Sequence, residues 1–184
     1  MRSFYLAGGT AAALQLGHRR SLDVDFFSRR AVDPLQLRDA LREHGIVSVK
    51  LLSEGSFVGA FRRTKLSCLH YPYPLLKPTH LYAGIALADL LDIACMKVDA
   101  ISSRGKRRDF IDLCAIGLRM RYSLAMILDA FATKYRRVAY NRVHILKSLV
   151  YFADAERDPT PPMLDDLPWQ RITAFFQREV ARLH

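Results

Sequence analysis

A chain of 184 residues holds one well-filled core, with or without a smaller helical appendage, and at most one catalytic module. Its 51% hydrophobic and 25% charged residues exclude global disorder and collagen-like or low-complexity chains. Lys plus Arg number 28 against 18 Asp plus Glu, and the resulting net charge of +10 favours a polyanionic partner, with nucleotides or RNA fitting best.

In chain order, residues 4–7 read as a short buried strand running into Gly8-Gly9, followed by a helix from Thr10, the expected N-cap, to Leu16, closed by Gly17. Residues 21–27 alternate, with Leu22, Val24 and Phe26 on one face and Asp23 and Asp25 on the other, which predicts a strand with a carboxylate face. Asp33-Pro34 opens a helix that Gly45 ends. Residues 46–52 and 56–69 read as two or three further strands, and a proline-rich connection covers 71–78.

Beyond it the pattern is helical over 85–102, 107–119, 124–135, 142–155 and 168–183, with Ser123 and Asn141 as N-caps. The expected fold class is α+β: a small mixed-sheet core over residues 1–80 and a helical bundle over 81–184 that completes the cleft. The most apolar run, 84–101, carries Asp89, Asp92, Lys97 and Asp99, and no signal-peptide pattern opens the chain, so a cytoplasmic protein without a membrane partner is expected. Cys68, Cys95 and Cys114 are widely spaced and read as buried free thiols, and His70 and His80 lack partners at zinc-site spacing.

Two carboxylates two apart on a strand can reach one divalent cation, although such a pair by itself is more often a solvated strand face. The glycine turn ahead of them sharpens the reading. A strand ending in Gly8-Gly9 and turning at Thr10 into a helix lets backbone amides and the Thr10 hydroxyl approach an anion. Lys97 falls in an apolar helical stretch, where its charge must snorkel out or find an anionic partner such as a triphosphate; Asp109 and Asp112, which share a helix face, could also pair with Lys97 or Arg108 for purely structural reasons. The basic run Arg104, Lys106, Arg107 and Arg108, together with Arg119, Arg121, Lys134, Arg136, Arg137 and Arg142, forms either solvated loops or a phosphate-tracking surface, with Tyr135 and Tyr140 placed to stack bases or to pack a helix junction.

Taken together, Leu6-Ala7-Gly8-Gly9-Thr10 and its alanine run, Gly17-His18-Arg19-Arg20-Ser21-Leu22-Asp23-Val24-Asp25-Phe26-Phe27, Lys97, and Arg107-Arg108-Asp109-Phe110-Ile111-Asp112-Leu113 resemble the AbiEii/AbiGii toxin family of nucleotidyltransferases. The resemblance extends through 146–156 and the prolines after it to the Trp169 helix. It implies a polymerase-β-like nucleotidyltransferase core joined to a helical C-terminal region. The family includes toxin halves of toxin–antitoxin and abortive-infection systems, some of which transfer nucleotides to tRNA acceptor ends.

Carried over, the resemblance implies that Gly8, Gly9, Thr10 and Ser21 hold a nucleoside triphosphate and that Asp23 and Asp25 hold Mg²⁺ or Mn²⁺. Lys97 would meet the phosphates, and Asp112, ahead of Asp109, would take the remaining acidic catalytic role. Two departures stand out: the later strand 64–69 carries no acid where such enzymes commonly bring a third carboxylate, and fewer residues precede the glycine turn than in relatives.

The expected activity is Mg²⁺-dependent transfer of NMP from an NTP to an RNA hydroxyl, at a tRNA 3′ end, by a toxin with a cognate antitoxin protein. The alternatives are a catalytically weak nucleotide- or RNA-binding module, and transfer of NMP or phosphate to a protein hydroxyl. The enzymatic reading expects Lys97 to face the Asp23–Asp25 pair across a cavity.

Overall fold

The computed structural model describes residues 4–183. Phe4–Leu6 (β1) leads into Gly8–Leu16 (α1), Val24–Ser28 (β2) and Pro34–Arg42 (α2). Three strands follow, Val47–Ser53 (β3), Ser56–Phe61 (β4) and Thr64–His70 (β5), and then His80–Tyr82 (β6) and Ile85–Leu87 (β7). The remaining elements are helices: Leu90–Arg104 (α3), Arg107–Met120 (α4), Leu124–Lys134 (α5), Arg142–Leu149 (α6), Ala153–Arg157 (α7) and Trp169–Ala181 (α8).

The strands form one mixed sheet in the order β3-β4-β5-β2-β1-β7-β6. β1 pairs antiparallel with β2 and parallel with β7, and β2 runs parallel to β5 in a register that sets Asp25 beside Ser67. The main core lies between one sheet face and the helices, where Ala11 and Ala12 of α1 are fully buried with Ile93 of α3 and Phe110 and Ile116 of α4. A smaller cluster of Leu41, Phe57, Leu66 and Cys68 fills the space between α2 and the other face. The architecture is thus the α+β arrangement expected, a mixed sheet followed by a helical region.

Several local readings change. α1 starts at Gly8 with Ala7 as a bare N-cap, so Thr10 sits inside the first turn and its hydroxyl is free for other contacts. The ladder of β2 starts at Val24, which leaves Asp23 in the segment leading into the strand. The sheet also continues past residue 80. Ala83 and Gly84, at φ 48° and 81°, turn β6 back into β7, and the Asp89 carboxylate caps α3 by accepting from the Leu91 amide at 2.8 Å, so the apolar run 85–87 pairs with β1 instead of extending the helix. The stretch 142–155 breaks into α6 and α7 because Phe152 leaves helical pairing to pack its ring against Phe110 and Trp169, at centroid distances of 5.4 and 6.0 Å.

Asp33, Ser123 and Asn141 cap their helices with side-chain bonds, as their sequence contexts predict. All three cysteines are buried free thiols, each pushed up to about 12 by burial. No helix among the described residues is long and apolar enough to cross a membrane.

Candidate active site

The Gly8–Gly9 turn joins β1 to α1 between two groups of charge. On one side, a Cβ placed on Gly8 would lie 3.5 Å from the Asp25 carboxylate, and φ of +67° at Gly8 is itself a conformation that favours glycine. On the other side, a Cβ on Gly9 would lie 2.3 Å from an Arg19 guanidinium nitrogen and 3.4 Å from an Asp112 oxygen. Gly8 is therefore required by its left-handed backbone, and Gly9 by the close approach of the Arg19 guanidinium that Asp112 holds in place.

No side chain caps α1 and no acid occupies its first turn, so the charge nearest the partial positive end of the helix is the Asp25 carboxylate from β2. The Thr10 hydroxyl lies 2.8 Å from the Ser21 hydroxyl and donates to the Asp23 carbonyl, which ties this helix start to the segment carrying the carboxylates.

Asp23 has two cationic neighbours at loose distances, Lys65 at 3.7 Å and Arg108 at 3.8 Å. Asp25 enters no ion pair or side-chain hydrogen bond among the described residues. Both carboxylates therefore keep open lone pairs. Hard oxygens of this kind suit Mg²⁺ or Mn²⁺, which accept one or two carboxylates and complete their shell with water and phosphate oxygens, so the donor set fits the metal that the sequence implied. Among the described residues no three His, Cys, Asp or Glu side chains cluster as a metal site, so the candidate set is this pair alone. β5 brings Ser67 and Lys65 alongside, without a carboxylate.

Lys97 departs from expectation. Its ammonium is 2.8 Å from Asp109 and 2.7 Å from Asp112, so it serves these two carboxylates and forms no ion pair with Asp23 or Asp25. Asp112 is fully buried and its four lone-pair directions are taken: Oδ1 accepts from His18 Nε2 at 2.8 Å and Arg19 Nε at 2.6 Å, while Oδ2 accepts from Arg19 Nη2 at 2.8 Å and Lys97. Asp109, also fully buried, accepts from Lys97 and from Arg104 Nε at 3.0 Å.

Burial opposes the charge on Lys97, yet Asp112 and Asp109 outweigh it and hold the amine above the usual lysine range. Burial likewise works against Asp112, but Lys97, Arg19 and His18 hold its carboxyl well below the usual range, and Lys97 with Arg104 does the same for Asp109. A carboxylate so held is a poor proton acceptor. Asp112 organises cations around the glycine turn and has no free oxygen for a metal or a substrate.

His18 and Arg19 belong to the motif, yet nothing in their sequence context beyond their charge marks them as ligands of a buried carboxylate. Each is buried to within 4%, and the C-terminal segment holds them there: Leu164 N donates to the His18 carbonyl at 3.0 Å and Arg20 N to the Pro162 carbonyl at 2.8 Å. The one usable signal was the basic pair directly after Gly17, which the left-handed C-cap (φ 63°) turns inward.

The basic residues divide into two groups. Arg107 is consumed by structure, bonding the Ala155 and Glu156 carbonyls and the Thr160 hydroxyl and lying 4.7 Å from the Trp169 ring centroid. Lys134 is buried against Asp92 at 2.6 Å and Tyr135 packs against Phe131 and Tyr73, so neither belongs to a phosphate surface. Arg104, Lys106, Arg136, Arg137 and Arg142 are exposed, and Arg108 is partly so. His144 Nε2 at 2.9 Å from the Ser102 carbonyl joins the start of α6 to the end of α3, which bears Arg104.

No family model matches the chain. A sequence relative does: "Uncharacterized protein aq_aa25" of Aquifex aeolicus (strain VF5) is 34% identical, over 96% of this chain and 86% of that protein. The chain belongs to the family of that Aquifex protein. Among solved structures, JHP933 from Helicobacter pylori aligns at a TM-score of 0.53 and 17% identity, over 98% of this chain and 85% of that one. MenT4, a nucleotidyltransferase toxin from Mycobacterium tuberculosis, aligns at 0.52 and 14%, over 98% and 75%. ANT(2″)-Ia, solved with adenylyl-2″-tobramycin, aligns at 0.51 and 15%, over 74% and 89%. At these identities the likeness is one of fold, and the fold of this chain is nucleotidyltransferase-like.

Proposed function

We propose that this protein is a divalent-metal-dependent nucleotidyltransferase that moves NMP from an NTP to an RNA hydroxyl, with the 3′ end of tRNA as acceptor, and that it acts as a toxin with a cognate antitoxin protein. One observation carries the enzymatic reading. The uncapped start of α1, at Gly8-Gly9-Thr10, lies against the open Asp25 carboxylate on one side and against Arg19 on the other. A polyanion and a divalent cation are the two ligands that such a pairing of amides, cations and free carboxylates accommodates together.

In this reading the amides of Gly8, Gly9 and Thr10 and the Ser21 hydroxyl cradle the triphosphate, while Lys65 and Arg108 offset its charge. Asp23 and Asp25 hold Mg²⁺ or Mn²⁺, which when bound supplies charge neutralisation on the phosphate oxygens. The RNA 3′-hydroxyl oxygen forms a bond to the α-phosphorus as the α–β phosphoanhydride breaks, pyrophosphate leaves, and the hydroxyl proton passes to Asp23. Lys97 and Asp112 act through Arg19, keeping its guanidinium pressed under Gly9. Lys106, Arg108, Arg136 and Arg137 offer the strand its phosphate contacts, with Arg104 at their edge. The net charge of +10, the exposed arginines and the MenT4 fold likeness support the RNA and toxin parts.

A weaker, binding-only protein is the second reading, favoured by the saturation of Asp112 and the absence of an acid on β5. Incubation with labelled NTPs, Mg²⁺ and total RNA separates the two. Label entering RNA with wild-type protein and lost with Asp23→Ala supports transfer; full transfer by Asp23→Ala removes that residue from the chemistry. Metal-dependent NTP binding without any product leaves the binding-only reading in place, and growth arrest on expression, relieved by Asp23→Ala, tests the toxin assignment.

A further inference from the structure

Residues 130–153 carry five Lys or Arg and no acid. Lys134 is spent on Asp92 inside the core, but Arg136, Arg137, Arg142 and Lys147 are exposed, and none of them enters an ion pair among the described residues. The α5–α6 connection that displays the arginines is pinned at both ends. Tyr135 is buried against Phe131 and Tyr73, and its carbonyl accepts from Val138 N at 2.8 Å. Asn141 Oδ1 accepts from His144 N at 3.1 Å and starts α6 at Arg142.

An aromatic ring stands among these cations. Tyr140 is 40% exposed, and its ring meets that of Phe131 nearly at right angles, at a centroid distance of 5.2 Å and an interplanar angle of 84°. A perpendicular contact of this kind covers at most one face of the Tyr140 ring and holds the ring in place. The remaining face is available to a flat partner. Tyr135, its neighbour in sequence, has no such face, because it is 4% exposed.

The surface is continuous with the carboxylate centre. α6 packs on α3, and His144 Nε2 lies 2.9 Å from the Ser102 carbonyl, two residues before Arg104. The Arg104 guanidinium is exposed and is fixed by the buried Asp109, which accepts from its Nε at 3.0 Å. Burial opposes the charge on Arg104, but Asp109 and after it Asp25 outweigh burial and hold the guanidinium above its ordinary range. Arg104 therefore stands within reach of the Asp25 charge, and a cationic path runs from the carboxylate pair over the end of α3 to Tyr140. Asp99 of α3 adds a negative charge at its edge. Spaced cations around an open ring match a flexible single strand, whose phosphates meet the arginines while an unstacked base lies on the ring; a duplex keeps its bases stacked on one another.

Resting on the reading that RNA is the acceptor, we propose that this path holds the unpaired 3′ tail of that RNA, with one base stacked on Tyr140 and the neighbouring phosphates on Arg137 and Arg142. The protein thereby selects single-stranded 3′ ends over paired ones.

Fluorescence anisotropy of a labelled single-stranded RNA of roughly twelve nucleotides, without NTP or divalent metal, reads binding apart from transfer. The full chain is expected to bind this strand more tightly than a blunt duplex of the same length. Tyr140→Leu, which keeps an apolar contact to Phe131, weakens single-strand binding about tenfold and leaves the slope of log K against log salt unchanged, whereas Tyr140→Phe binds like wild type. Arg142→Ala makes that slope shallower by about 0.7. Tyr82→Ala removes an exposed tyrosine of β6 and changes nothing. No binding by wild type, a duplex bound as tightly as the single strand, or equal affinities of Tyr140→Leu and Tyr82→Ala would each overturn the proposal. Failure of the transfer reading looks different: RNA held through Tyr140 but never labelled from NTP removes the enzyme and leaves the tail site, while transfer undiminished in Tyr140→Leu at limiting RNA removes the tail site and leaves the enzyme.

Discussion

The contrast between Asp112 and Asp25 gives the sharpest mutational expectation. Asp112→Asn keeps the shape of a side chain that is fully buried and accepts four hydrogen bonds, from His18, twice from Arg19 and from Lys97. The amide can satisfy one side of that ring only, and its NH₂ group then points at donors on the other. Arg19 is left without a carboxylate and Lys97 with Asp109 alone. Removing one member of a buried charge pair costs about 3–5 kcal/mol, and in a chain of this size that lowers Tm by roughly 6–20 °C.

Asp25→Asn, by contrast, breaks no ion pair and relieves repulsion with Asp23, so its stability change stays within about 0.5 kcal/mol while transfer is lost. Urea unfolding of the two variants, with unchanged m-values, measures the difference. An Asp112→Asn protein within about 1 kcal/mol of wild type would refute the buried-hub account, as would an Asp25→Asn protein destabilised to the same degree.

Other expectations follow from the same geometry. Asp112 and Asp109 are held below the usual carboxylate range, so their stabilisation is present above about pH 4 and fades as pH falls through their lower folded-state values. The acid limb of the stability curve should therefore be shallower in Asp112→Asn than in wild type, and parallel curves would contradict this. Gly9→Ala drives a methyl into the Arg19 guanidinium that Asp112 holds in place, which should cost about 1–3 kcal/mol and show as a lowered urea midpoint. Lys134→Met strands a fully buried Asp92 and frees the Pro74 carbonyl, and a loss of about 3–5 kcal/mol is expected by thermal unfolding. Arg136→Ala with Arg137→Ala should reduce the slope of log K against log salt for RNA by roughly 1.4, since two single-strand phosphate contacts are removed.

Much of the fold was legible because its signals are local. Gly17, Asp33-Pro34, Ser123 and Asn141 mark helix ends through backbone chemistry that acts within a few residues, and the structure keeps them. The 85–87 run carries no period of its own, being a three-residue apolar stretch, and only its pairing with β1 makes it a strand where the sequence pattern predicts helix. In the site, the glycine turn and the aspartates were visible as a motif. The orientation of Lys97 was not: a charge in an apolar helix needs an anion, and the sequence offered both a phosphate and the two aspartates on α4. Packing of α3 against α4 settles that choice. His18 and Arg19 were hidden for a similar reason, since their burial depends on the Pro162–Leu164 segment returning from far along the chain.

The central claim is that the Asp23–Asp25 centre transfers a nucleotide and releases pyrophosphate. Parallel incubations of total RNA with NTP labelled at the α- or at the γ-phosphate test it directly. The account predicts label in RNA from the α-position alone, absent with Asp25→Asn. Transfer of the γ-label, or an RNA pool left unlabelled by wild-type protein that binds NTP and Mg²⁺, would contradict it.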